Sequence, residues 1–170
     1  MGTLESMGLL QTVILHEMGH VLGFGTLWTY VTPSLLTFGG TDSTQFNGTN
    51  AISYYTAAGG LTAFPSLAPV PVENTGGPGT QDGHWRETVM TNELMTGYVA
   101  AGASPLSAIT IGSLADLAYT VSYATADAYS MTAPPAGAPG RIENVLQMRE
   151  LPRTGPIRGI DRQGRITRVR

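Results

Sequence analysis

Three histidines occur in the 170 residues, and two of them stand four apart in His16-Glu17-Met18-Gly19-His20. On a helix, positions i and i+4 share a face one turn apart, so both imidazoles can reach one tetrahedral zinc at ~2.0–2.1 Å. Glu17 lies beside the first of them and can point towards a water on the metal. Zinc lowers the pKa of such a water to roughly 7, and a nearby carboxylate can take its proton. The hydroxide would then attack a carbonyl that the metal polarises. The H-E-x-x-H spacing also arises by chance, and two His on an amphipathic helix are often only surface residues. Here the motif lies inside an apolar run, where unpaired polar side chains are costly, and this favours the metal.

A third ligand is required. The pattern H-E-x-x-H-x-x-G-x-x-H puts Gly at position 23, where Gly23 stands, and His at position 26, where Thr26 stands instead. Two readings remain. Either His84 is brought to the metal by the intervening loop 24–83, or an acid such as Glu73, Glu87 or Glu93 supplies the bond. An acidic ligand would normally come from a second helix, and the turn-rich surroundings of 84–98 favour His84.

The stretch HEMGHVLGFGTLW, followed by GHWRE and then ELMTG, resembles the leishmanolysin-like (M8-type) metzincin metallopeptidases, especially bacterial members. The resemblance runs from about residue 7 to about residue 129 and includes PLSAITIGSLADLAYTVSYATADAY. It implies a zinc endopeptidase with His16, His20 and His84 as metal ligands, Glu17 as general base and Met95 as the Met-turn methionine. It also implies a long insertion between Gly23 and the third His. The implied fold is α+β and metzincin-like, with this chain matching the lower, C-terminal subdomain, mostly helix and irregular loop. The upper sheet subdomain ahead of the zinc helix is expected to be absent, since the helix starts within the first few residues. Efficient substrate alignment would suffer from that absence.

Around the motif, residues 4–22 read as one helix, with Leu10, Val13, Ile14, Met18, Val21 and Leu22 as its apolar stripe and Gly23 as a left-handed cap. Gly8 and Gly19 inside it suggest close packing against a neighbour. Residues 24–83 are rich in turn formers, with a short helix expected at 51–58 and a short strand at 70–73. A helix from Thr110, capped by Thr110, carries Ile111, Leu114, Leu117 and Ala118. Trp28 and Trp85 are expected core anchors. Arg86 and Glu87 could pair behind the third ligand or form a surface salt bridge. Tyr98 is read as a buried structural residue rather than an oxyanion donor, and the sequon Asn47-Gly48-Thr49 is a weak signal.

Residues 1–130 thus form the expected zinc-binding subdomain, 131–140 a Pro/Gly linker and 141–170 an Arg-rich tail expected to be disordered. The chain has no Lys, and eight of its nine Arg fall in that tail, leaving an acidic body that argues against nucleic acid as partner. Peptide or protein substrates are the partners the resemblance implies. The absence of Cys excludes disulfides and Cys-based metal sites. No apolar run reaches the ~18 residues of a membrane span. The first ten residues lack a basic n-region, so no signal peptide is expected in them, and a secreted or cell-surface location would need one upstream. A second functional class is a zinc-binding module without catalytic competence.

Overall fold

The computed structural model describes residues 3–99 and 102–132, together with three short strands at 146–147, 158–160 and 166–168. Residues 133–140 of the expected linker 131–140, and the rest of 141–170, lie outside the described residues, so the expected linker and disordered tail are not addressed there.

The expected single helix over 4–22 is two helices, α1 (Thr3–Ser6) and α2 (Leu10–Val21). The break falls at Gly8, which takes φ +70° and has open space where a Cβ would stand, so this glycine turns the chain rather than admitting a neighbour. Gly23 ends α2 as expected. At φ +110° it lets its own N–H reach His20 O (3.1 Å) while the Phe24 N–H reaches Gly19 O (3.1 Å), the paired bonds of a Schellman cap.

The apolar stripe of α2 does not face the core. Leu10, Ile14, Met18, Val21 and Leu22 are exposed, and the helix turns His16 and His20 inward instead. Periodicity marks an apolar face without saying which side of the helix the rest of the chain covers. The polar face can go inward here because each imidazole finds a carbonyl there, which offsets its loss of water.

Beyond α2 the chain runs through β1 (Leu36–Thr37), β2 (Gln45–Phe46), α3 (Thr49–Ala57), α4 (Gly60–Ala63) and β3 (Val70–Pro71). The strands form one antiparallel sheet in the order β1-β2-β3, with Leu36 opposite Phe46 and Phe46 opposite Val70. Then follow α5 (Glu87–Met90), β4 (Tyr98–Val99) and α6 (Ala108–Asp116). Strand β5 (Leu146–Gln147) pairs with β4, and β6 (Arg158–Ile160) pairs with β7 (Ile166–Arg168), both antiparallel. The result is a mixture of helices and small sheets, α+β in class.

Helix α6 begins two residues before the predicted start. Ser107, not Thr110, is its cap, accepting the Thr110 N–H at 3.3 Å. Helix α3 is capped from a distance by the Asp116 carboxylate, which accepts the Asn50 and Ala51 N–H groups at 3.0 Å each. The core lies between these helices and the sheet. Trp28 and Trp85, both fully buried, meet Phe24 and Phe46 with ring centroids 4.7–5.5 Å apart, which bears out their expected role as anchors.

The long excursion 24–83 closes on itself at two glycines. Gly25, at φ +68°, sits so near the backbone of Gly83 that a Cβ on it would overlap the Gly83 carbonyl. Gly25→Ala is therefore expected to cost about 2–3 kcal/mol, the sum of a left-handed backbone penalty and a clash with main chain that cannot rotate away. The readout is a lower denaturant midpoint at unchanged slope.

Candidate metal centre

That closure delivers His84 to α2. The three Nε2 atoms form a nearly equilateral triangle: His16 to His20 is 3.0 Å, and His84 is 3.1 Å from each. Every Nδ1 faces a backbone carbonyl, His16 that of Leu94 (2.8 Å), His20 that of Phe24 (2.9 Å) and His84 that of Thr80 (2.8 Å). A carbonyl only accepts, so each Nδ1 carries the proton and each Nε2 presents a bare lone pair. Three such lone pairs facing one another repel unless a cation lies among them.

The donor set fits zinc. A point equidistant from three corners at this spacing lies roughly 1.8 Å from each, which leaves room for Zn–N bonds of ~2.0–2.1 Å with one side open. All three rings are buried, His16 and His84 completely. Burial, reinforced by the neighbouring His20, lowers the His16 imidazole to about 4, and burial lowers His20 and, further still, His84. The rings are thus held in the neutral form that binds metal. Among the described residues this is the cluster that could hold a metal ion.

Glu17 is exposed on α2 beside His16. Met95 is buried under the helix, and a Cβ on Gly19 would stand 2.7 Å from its Sδ and Cε. The close approach expected at Gly19 is thereby explained. Met95 O accepts the Trp85 N–H (3.0 Å), tying the segment after His84 to the floor of the site.

None of the three acids weighed as ligands belongs to the histidine cluster, and two of them are engaged elsewhere. Glu73 accepts from Asn74, Thr75 and the Glu87 N–H. Glu93 accepts from Met95, Ser107 and Thr110. Neither expectation for the Arg86–Glu87 pair holds. Arg86 is buried and donates to the carbonyls of Val72, Asp42 and Thr44, while the Glu87 carboxylate is buried with no hydrogen-bond partner. Tyr98 is half-buried on β4, and the Asn47 amide donates to Thr37 Oγ1 (2.8 Å). The carbonyls of Phe24, Thr80 and Leu94, which set the imidazole tautomers, have no side-chain signature in the sequence.

The unpaired Glu87 has a measurable consequence. Burial raises its carboxyl to about 7, with the nearby Thr96 hydroxyl opposing the rise and Glu73 adding to it. A group raised in the folded state stabilises fully below its unfolded value and loses that contribution as pH rises through the folded one. Glu87→Gln is expected to stabilise the chain by about 1–3 kcal/mol at pH 8 and by much less at pH 5, seen in thermal melts at the two pH values.

An α+β chain that closes two helix-borne imidazoles and one loop-borne imidazole around a point has the build of a metal-dependent hydrolase. The comparison with protein families narrows this: the model for leishmanolysin, peptidase M8, matches residues 5–134, and the chain belongs to that family of zinc metallopeptidases acting on peptides or proteins. No curated protein and no solved structure was found to match it. Among the described residues, no helix is long and apolar enough to cross a membrane.

Proposed function

We propose that the chain is a zinc-dependent endopeptidase in which His16, His20 and His84 hold the metal through Nε2 and Glu17 is the general base. The observation that supports this most is the triangle of unprotonated Nε2 atoms, each ring locked by a carbonyl at Nδ1. When bound, zinc acidifies a water and polarises the scissile carbonyl. Glu17 takes the proton from the attacking water and returns it to the leaving amine. The three carbonyls at Nδ1 keep the rings in register, and Met95, read as the Met-turn methionine, floors the site beneath α2. In this reading residues 1–130 are the working subdomain, of metzincin-like lower-subdomain type.

The test is cleavage of an unstructured protein by the chain loaded with zinc, with and without chelator. Chelator-sensitive cleavage supports the proposal. Its absence at full zinc loading defeats it. A second reading, a metal-holding module without peptidase activity, draws on the exposed apolar side chains of α2: a site that needs a further covering layer would hold zinc and align no substrate. That reading predicts stoichiometric zinc and a thermal midpoint that falls on chelation, with no cleavage.

A further inference from the structure

We propose that Glu93 is a positioning residue that strengthens His16 as a ligand by acting through a single peptide unit. The unit is the one joining Leu94 to Met95. Its carbonyl accepts His16 Nδ1–H at 2.8 Å, and its N–H donates to Glu93 Oε2 at 2.6 Å. A carboxylate, a peptide and an imidazole therefore stand in one hydrogen-bonded line that ends at a metal-facing Nε2.

The charge on Glu93 follows from its partners. Oε1 accepts from the Ser107 N–H (3.1 Å), from Ser107 Oγ (2.7 Å) and from Thr110 Oγ1 (2.6 Å). Ser107 Oγ accepts the Thr110 N–H (3.3 Å), and Thr110 Oγ1 accepts the Trp85 indole N–H (2.8 Å), so both hydroxyls have their protons free for Glu93. All four donors aim hydrogens at the carboxyl, and none needs a proton from it. That is the pattern of an ionised acceptor. The side chain is 1% exposed: burial pushes its carboxyl up, the hydrogen bonds from Ser107, Thr110 and Met95 oppose that rise, and water does not screen the charge they hold.

A negative charge at the N–H end of a peptide pushes electron density to its carbonyl oxygen, which then accepts more strongly. A stronger acceptor at Nδ1 makes the opposite nitrogen more basic and fixes the ring. The peptide behind the carbonyl that serves His84 is held differently: the N–H following Thr80 O, that of Gln81, goes to Gly77 O (2.9 Å) rather than to a carboxylate. The same line also ties α6 to the site, since Ser107 and Thr110 lie at its N-terminus and the Leu94 N–H is held by Pro105 O (2.9 Å).

The inference rests on the reading that the three histidines hold the metal, and the experiment separates the two. Zinc affinity is measured by chelator competition, and the imidazole N–H protons by NMR, for the wild type, Glu93→Gln, Glu93→Asp and His84→Ala. Glu93→Gln is expected to weaken zinc about 10-fold and to move the His16 Nδ1–H signal upfield, leaving those of His20 and His84 in place. Glu93→Asp, which keeps the charge, is expected to recover part of both. In the wild type alone, the His16 signal is expected furthest downfield of the three, which needs no variant to fold. If His84→Ala keeps wild-type affinity, the three-histidine reading fails. If His84→Ala loses the metal while Glu93→Gln binds like the wild type, or the three wild-type signals coincide, the Glu93 role is overturned.

Discussion

Glu17→Gln is expected to remove chelator-sensitive cleavage, lowering kcat by about 10²- to 10⁴-fold, while zinc still binds stoichiometrically. The side chain is exposed and takes no part in the core, so an amide of the same shape leaves α2 intact. It keeps the hydrogen-bonding outline and loses the ability to take a proton. The two readouts must therefore part: metal content by elemental analysis stays at one per chain, and turnover collapses. A variant that loses zinc together with activity would place Glu17 in holding the site rather than in proton transfer. A variant that keeps full activity would remove it from the chemistry altogether.

The second large effect is expected from His84→Ala. A ligand carried by a remote loop is worth more to the site than an outer partner, whose loss typically costs 10–100-fold in affinity. Zinc should be lost by more than that range, leaving only the two imidazoles on α2. The metal-free variant should still fold, because the aromatic core around Trp28 and Trp85 does not include this ring. Circular dichroism on the metal-free protein checks the fold, and chelator competition reads the affinity. Retention of tight binding by the variant would point to a ligand set without residue 84.

The candidate site was legible in the sequence to an unusual depth because its parts are side chains with few alternatives. His16 and His20 are separated by one helical turn, and only one other histidine exists in the chain. Gly23 could be placed as a cap because a left-handed residue after a helix favours glycine. Less of the fold could be read. The apolar stripe of α2 was visible and its orientation was not: Leu10, Ile14 and Met18 face solvent while the histidines face inward. Thr110 looked like a cap and is a hub between Trp85 and Glu93, because the cap position had already been taken by Ser107.

Residue types and local spacing determined which atoms could bind a metal and which carboxylate stands beside them, since both follow from helical periodicity over a few residues. Tertiary structure alone decided that His84 returns across a 60-residue excursion, through the backbone approach of Gly25 to Gly83. It also decided which tautomer each ring adopts, through the carbonyls of Leu94, Phe24 and Thr80. Main-chain acceptors are the same at every position of a sequence. Only the path of the folded chain can say which of them meets an imidazole.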